Sequence, residues 1–200
     1  MKRGLFISID GPNGAGKTTF IRMLVENISL NYDVYATKEP SPTAFGNFVK
    51  KNEGGLKGIQ YAQLIWADLY YHLQTCVQPQ LLLGKIVICD RYIDSSFVLQ
   101  QFDGVSEEQI WELNKSFLRP DLSIILLAEP DVLQKRLQER ESLSAFEKMM
   151  TREEEVYMYE KAIGFLREKS MPHIIYMNNT YDELKKNLED AAIRIYEMMG

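Results

Sequence analysis

Residues 11–18 read Gly-Pro-Asn-Gly-Ala-Gly-Lys-Thr, the glycine spacing, lysine and hydroxyl that a phosphate-wrapping turn requires. Gly11, Gly14 and Gly16 admit backbone angles closed to other residues. The consecutive N–H groups of Asn13, Gly14, Ala15, Gly16, Lys17, Thr18 and Thr19 can then curl around the phosphates of ATP at the positive end of a helix. Lys17 would reach the β- and γ-phosphates, and the Thr18 hydroxyl would ligate Mg2+. Further on, Asp90-Arg91-Tyr92 follows an apolar run. An acid there can hold Mg2+ or its water shell, and the planar fork of Arg91 suits the oxygens of an acceptor or of the group in transfer. A helix cap or a structural ion pair is the other reading of those two residues.

Lys38-Glu39-Pro40 offers a second pair, with Glu39 taking a proton from an acceptor or orienting it and Lys38 holding an acceptor phosphate. The same pair also fits a solvated loop. Lys135, Arg136, Arg140, Lys148 and Arg152 surround a short loop at 141–146, the composition of a lid near 136–150 that neutralises charge on a transferred phosphoryl group, or of an ordinary charged helix face. Arg136 and Arg140 stand one helical turn apart, with Arg136 placed towards ATP and Arg140 the foremost lid candidate. Trp66, Tyr70 and Phe45 have the ring area to stack on a base, although aromatics at helical spacing also build cores. His72 lacks a metal-spaced partner and reads as a packing or surface histidine.

The elements that must position these groups are legible as apolar β-prone runs at 5–9, 34–37, 86–89, 122–128 and 173–177, separated by helical patterns. That alternation predicts an α/β fold, a parallel sheet with helices on both faces, in which ligands bind beyond the carboxyl ends of strands. Asp10 with the glycine turn, Lys38-Glu39 and Asp90-Arg91 all lie at such ends, and so can converge on one crevice. Ser106-Glu107-Glu108-Gln109 is a capping box for a helix running to about Leu118, and Pro130 suits the first turn of another. Residues 59–78 predict one long helix ended near Pro79, whose apolar stripe fits a core or a self-association face.

Length and composition fit one α/β domain: 200 residues with 46% hydrophobic content supply a core without a second domain. The net charge of -5, with no long basic run, disfavours a nucleic-acid partner, and no apolar run is long enough for a membrane span. Cys76 and Cys89 lack metal-ligand spacing and read as reduced thiols. Met1-Lys2-Arg3-Gly4 leads directly into the first strand pattern, so a cytoplasmic location is expected.

Taken in order, Ile9 to Thr19, Thr37-Lys38-Glu39-Pro40, His72-Leu73 with Pro79, Gly84 to Tyr92 with Ser95-Ser96, and Arg119-Pro120-Asp121-Leu122 resemble the thymidylate kinase family nearly end to end. The resemblance implies a three-layer P-loop NTPase fold with a five-stranded parallel sheet in the order 2-3-1-4-5, and a homodimer. It implies Mg2+-dependent transfer of the ATP γ-phosphoryl group to a deoxynucleoside 5′-monophosphate. Roles for Lys17, Thr18, Glu39, Asp90 and Arg91 follow from it as they do from their chemistry. The acceptor side departs from the family pattern. Leu69 stands where a thymine-reading arginine is usual, Ile65 where an aromatic stacks on the base, and Leu99 where an aromatic packs on the sugar; Ser96 and Gln100 match. Lys38 replaces an arginine, Asn13 replaces the usual aspartate, and Ser144-Ala145-Phe146-Glu147 replaces Asp-Arg-x-Glu. Two further readings stay open: a deoxynucleoside kinase acting on a 5′-hydroxyl, and a catalytically silent ATP-binding regulatory protein.

Overall fold

The computed structural model describes residues 3–140 and 145–200. Five strands, β1 (Phe6–Asp10), β2 (Val34–Lys38), β3 (Ile86–Asp90), β4 (Leu122–Leu127) and β5 (Ile174–Met177), pair in parallel in the order β2-β3-β1-β4-β5. This is the expected order, and β1 occupies its centre with every residue buried.

Period-two alternation along the strands sorts side chains onto two faces. Phe6, Val87, Cys89, Ile125 and Leu127 enter one core, and Ile7, Ile9, Ile88, Ile124 and Leu126 enter the other. Helices α3 (Gly58–His72), α5 (Ile93–Phe102), α6 (Glu107–Asn114) and α9 (Arg152–Glu168) cover the first face. Helices α1 (Lys17–Ile28), α7 (Pro130–Gln138) and α10 (Tyr181–Met199) cover the second. Cys76 and Cys89 are both free thiols, and Cys89 is fully buried.

Three local outcomes differ from the sequence expectation. The long helix does not stop at Pro79. It passes from α3 through a π turn at Leu73–Val77 into α4 (Gln78–Leu82), whose first turn holds the proline. The capping box opens α6 as expected, with both reciprocal hydrogen bonds made, but the helix ends at Asn114 rather than Leu118. There Asn114 Nδ2 donates to the Ile110 carbonyl at 2.7 Å and competes for the acceptor that the backbone would use. The stretch after β2 holds an additional helix, α2 (Ala44–Lys51), capped by Thr43, whose hydroxyl accepts from Gly46 N. Gly46 is obligatory there, because a Cβ would come within 2.0 Å of the Ser41 carbonyl oxygen. The short helix α8 (Ala145–Met149) follows the part of the expected lid, 141–144, that lies outside the described residues.

Candidate active site

The three strand ends do meet. Ile9 and Lys38 are both in register with Asp90, Glu39 N donates to the Asp90 carbonyl at 2.9 Å, and Arg91 N donates to the Ile9 carbonyl at 2.9 Å. The glycine turn sits over this edge. Gly11, Gly14 and Gly16 have φ of 140°, 87° and 92°, all in the region that side chains avoid. At Gly11 a Cβ would also lie 2.0 Å from the Leu126 carbonyl oxygen, so the loop can close onto β4 only through glycine.

Lys17 opens α1 and folds back into the loop, where its ammonium donates to the Gly11 and Pro12 carbonyls at 2.7 and 2.9 Å. Burial, and next to it the positive charge of Arg91, pushes its pKa down to about 7. Asp10 is wholly buried and shifts the other way. Desolvation and the nearby Asp94 raise its carboxyl to about 7, against a hydrogen bond from Ser95 and the charges of Arg91 and Lys17. Asp90 Oδ1 is buried with no hydrogen-bond partner, and Thr18 is exposed at the helix start. An orphaned carboxylate oxygen beside a phosphate loop fits a hard cation such as Mg2+, which needs few protein ligands when phosphates supply the rest. No cluster of three or more acidic, histidine or cysteine ligands occurs among the described residues.

A cavity of about 430 Å3 opens from this edge. Asn13, Lys38, Glu39 and Arg91 form its polar end at the strand ends, Ile65, Leu69, Leu99, Tyr61 and Phe146 give it apolar surface, and Ser95, Ser96, Lys50, Glu53 and Asp68 also line it, with Glu53 beside Tyr61 and Phe146. Arg91 adopts φ 73°, an unusual value for a side-chain-bearing residue. The turn aims its guanidinium at Ser95 Oγ (3.1 Å), Tyr159 Oη (3.3 Å) and Asn13 Oδ1 (2.7 Å). Burial opposes its charge, but Tyr159, Asp10, Asp90 and Glu155 outweigh that and hold it firmly protonated.

His72 is fully buried rather than a surface or packing residue. Its Nδ1 meets Glu39 Oε1 at 2.5 Å and its Nε2 meets Thr37 Oγ1 at 2.9 Å, so it pins the Glu39 side chain to β2. Burial raises the Glu39 pKa, and the His72 hydrogen bond opposes the rise. On the next wall Asp68 accepts from Ser41 N at 2.7 Å and from Ser41 Oγ at 2.6 Å, fixing the loop that carries Pro40 and Pro42. Neither role was visible in the sequence pattern, because His72 and Asp68 sit among apolar residues of α3 and their partners lie 33 and 27 residues away.

Several expected site residues lie elsewhere. Trp66 stacks on Tyr70 and Phe117, donates its Nε1 hydrogen to the Leu113 carbonyl and takes no part in the cavity wall. Phe45 packs edge-on against Tyr71, and Gln100 is buried within α5 behind the wall. Arg136 ties the glycine turn to the chain after β5, donating to the carbonyls of Gly14, Asn178 and Asn179 at 3.1, 2.9 and 3.0 Å. Arg140 pairs at 2.8 Å with Glu147, whose side chain lies between this cavity and a second one under α7. The cationic residue of this segment that the structure buries is Arg152, whereas the sequence pattern put Arg140 foremost.

The profile described as Thymidylate kinase matches residues 9–188. A probable thymidylate kinase from Pyrococcus abyssi is 34% identical, covering 99% of each chain, and one from Caldivirga maquilingensis is 33% identical, covering 94% of this chain and 95% of its own. The crystal structure of a thymidylate kinase from Ehrlichia chaffeensis shares the fold, with a TM-score of 0.72 at 23% identity over 98% of this chain and 99% of its own. A phosphate-wrapping turn, a sheet in this order and a match over nearly the whole chain place this protein in the thymidylate kinase family.

Proposed function

We propose that the protein transfers the terminal phosphoryl group of ATP to the 5′-phosphate of dTMP, giving dTDP and ADP. The bond from the γ-phosphorus to its bridging oxygen breaks, a bond to an oxygen of the acceptor phosphate forms, and the bridging oxygen leaves with ADP. The observation that carries this reading is a cavity in which Asn13, Lys38, Glu39 and Arg91 share a polar end while Ile65, Leu69 and Leu99 supply apolar wall. Arg91 and Lys38 match the charge of an acceptor phosphate, which a nucleoside lacks.

In this mechanism the loop N–H groups and Lys17 hold the β- and γ-phosphates, and Arg91 with Lys38 aligns the acceptor. Glu39, fixed by His72, orients the acceptor at its phosphate end. The Thr18 hydroxyl and the free Asp90 oxygen are the groups that would hold Mg2+, which when bound neutralises phosphate charge. Arg140 and Arg136 belong to the lid segment in this reading, and Ser96 and Leu99 to the acceptor wall. A cytoplasmic homodimer is part of the same proposal. The exposed rings of Tyr70 and Tyr71 and the exposed Leu82 and Leu83 support a self-association face. No helix among the described residues is long and apolar enough to cross a membrane.

The test is ADP release from ATP·Mg2+ with every nucleoside and nucleoside monophosphate, ribo and deoxy. Turnover with dTMP is expected. Because Leu69 stands where an arginine is usual, discrimination against other pyrimidine monophosphates should be only about 10- to 200-fold. Turnover of nucleosides in place of monophosphates would favour the 5′-hydroxyl kinase, and ATP binding without ADP release would favour the silent regulator.

A second outcome concerns Glu39. His72→Ala removes the hydrogen bond that restrains the Glu39 pKa, so the carboxyl rises further and its ionised form is lost at higher pH. The acid limb of kcat/KM should shift towards neutrality, while stability falls by about 1–3 kcal/mol from the unpaired polar groups. A pH–rate profile matching the wild type would remove His72 from control of the site.

A further inference from the structure

Asn13, in the glycine turn, is held from two sides. Its Oδ1 accepts from Arg91 at 2.7 Å, while its backbone N–H and its Nδ2 both donate to Glu155 Oε1 at 2.9 Å. Glu155 lies on α9, only 2% exposed, and its other oxygen accepts from Arg152 Nη1 at 2.7 Å. Arg152, 3% exposed, donates through Nη2 to the Glu147 carbonyl of α8 at 3.1 Å and to the Met150 carbonyl just beyond that helix. One unbroken set of contacts therefore runs from the acceptor-facing Arg91 through the phosphate loop to the helix that walls both cavities. The amide at position 13 is also explained: an aspartate there would set a second carboxylate against Glu155 with no proton to share.

We propose that Glu155 is a positioning residue for phosphoryl transfer. Its carboxylate sets the phosphate loop, and with it Arg91, in fixed relation to α8, so that the donor site, the acceptor site and this helix share one alignment. Glu155 touches neither substrate. It acts through Asn13 on one side and Arg152 on the other, and the inference rests on the kinase reading above.

Two experiments separate alignment from mere support. First, Asn13→Asp should lower kcat/KM for the acceptor by about tenfold or more, and Asn13→Asp/Glu155→Gln, which removes the facing charge, should recover at least about threefold of that loss. A double variant no better than Asn13→Asp overturns the proposal. Second, Arg152→Met/Glu155→Gln neutralises both buried charges together, leaving neither unpaired, so the melting temperature should fall only modestly, from the donor lost to the Glu147 and Met150 carbonyls, while kcat measured well below the melt falls about fivefold or more. Wild-type kcat in that variant overturns the proposal, and so does a kcat loss that a stabilising osmolyte restores along with the fold. If Asn13→Asp does not fold, the second experiment decides alone. If the wild-type protein releases no ADP with any acceptor, the kinase reading fails instead. The relay is then judged by ADP affinity, which Asn13→Asp must weaken and the double variant must restore.

Discussion

Replacing Lys17 with alanine will abolish detectable transfer, with a loss in kcat of at least about 100-fold and no compensating gain in affinity for ATP. The ammonium is already in the loop, gathered by the Gly11 and Pro12 carbonyls. Its removal should also change how stability depends on pH. Lys17 titrates near pH 7 in the folded protein against 10.5 in the unfolded chain, so between those values the unfolded state binds more protons and stability rises with pH. Asp10 works in the opposite sense. Its folded pKa, about 7, lies above the unfolded 3.8, so its contribution is complete below 3.8 and fades as pH climbs to 7. Together the pair puts a minimum in ligand-free stability near neutrality. In Lys17→Ala the alkaline rise disappears. The acid-side decline persists and extends past pH 7, because Lys17 no longer lowers the Asp10 pKa. Thermal melts from pH 4 to pH 10 beside an ADP-release assay check both halves, and an unchanged alkaline rise in the variant would remove Lys17 from the explanation.

What could be read from the chain divides by distance. The phosphate turn was legible because its instruction is local: three glycines with positive φ, a lysine and a hydroxyl within eight residues, between a strand and a helix. The strands were legible for the same reason, since apolar runs flanked by helical patterns leave a parallel sheet as the arrangement that buries them. Their ends then delivered Lys38, Glu39, Asp90 and Arg91 to one edge. The supports behind those groups were not legible. Glu155 reaches Asn13 across 142 residues and Arg91 reaches Tyr159 across 68, and no local pattern distinguishes a glutamate or tyrosine with such a partner from its exposed neighbours. Arg152 and Glu155 stand at i,i+3 in a run of acids and read as a solvated face until the fold buries them. Trp66 failed for the converse reason. Its spacing is compatible with either side of α3, and the face it occupies is set by Phe117 and Leu113, which are distant in sequence.

The second large effect is expected at Arg91. Arg91→Ala should reduce kcat/KM for the acceptor by about 100-fold or more, with KM carrying a substantial share, since the guanidinium is the cation of the cavity's polar end that the fold locks in place. Lysine should not rescue it. A single ammonium cannot span Ser95, Tyr159 and Asn13 at once and still present a fork to phosphate. Backbone and side chain can be separated at this position. At φ 73° a residue with a Cβ carries a penalty of about 1–2 kcal/mol that glycine avoids. Arg91→Gly should therefore melt higher than Arg91→Ala while transferring phosphoryl groups no better. Removing the arginine also takes away the second cause of the depressed Lys17 pKa, so in both variants the alkaline stability rise should begin at higher pH than in the wild type. Equal activity in the glycine and alanine variants with unequal stability would assign the catalytic loss to the guanidinium and the folding cost to the turn. Higher activity in the glycine variant would mean that the strained turn, rather than the charge it carries, limits the reaction.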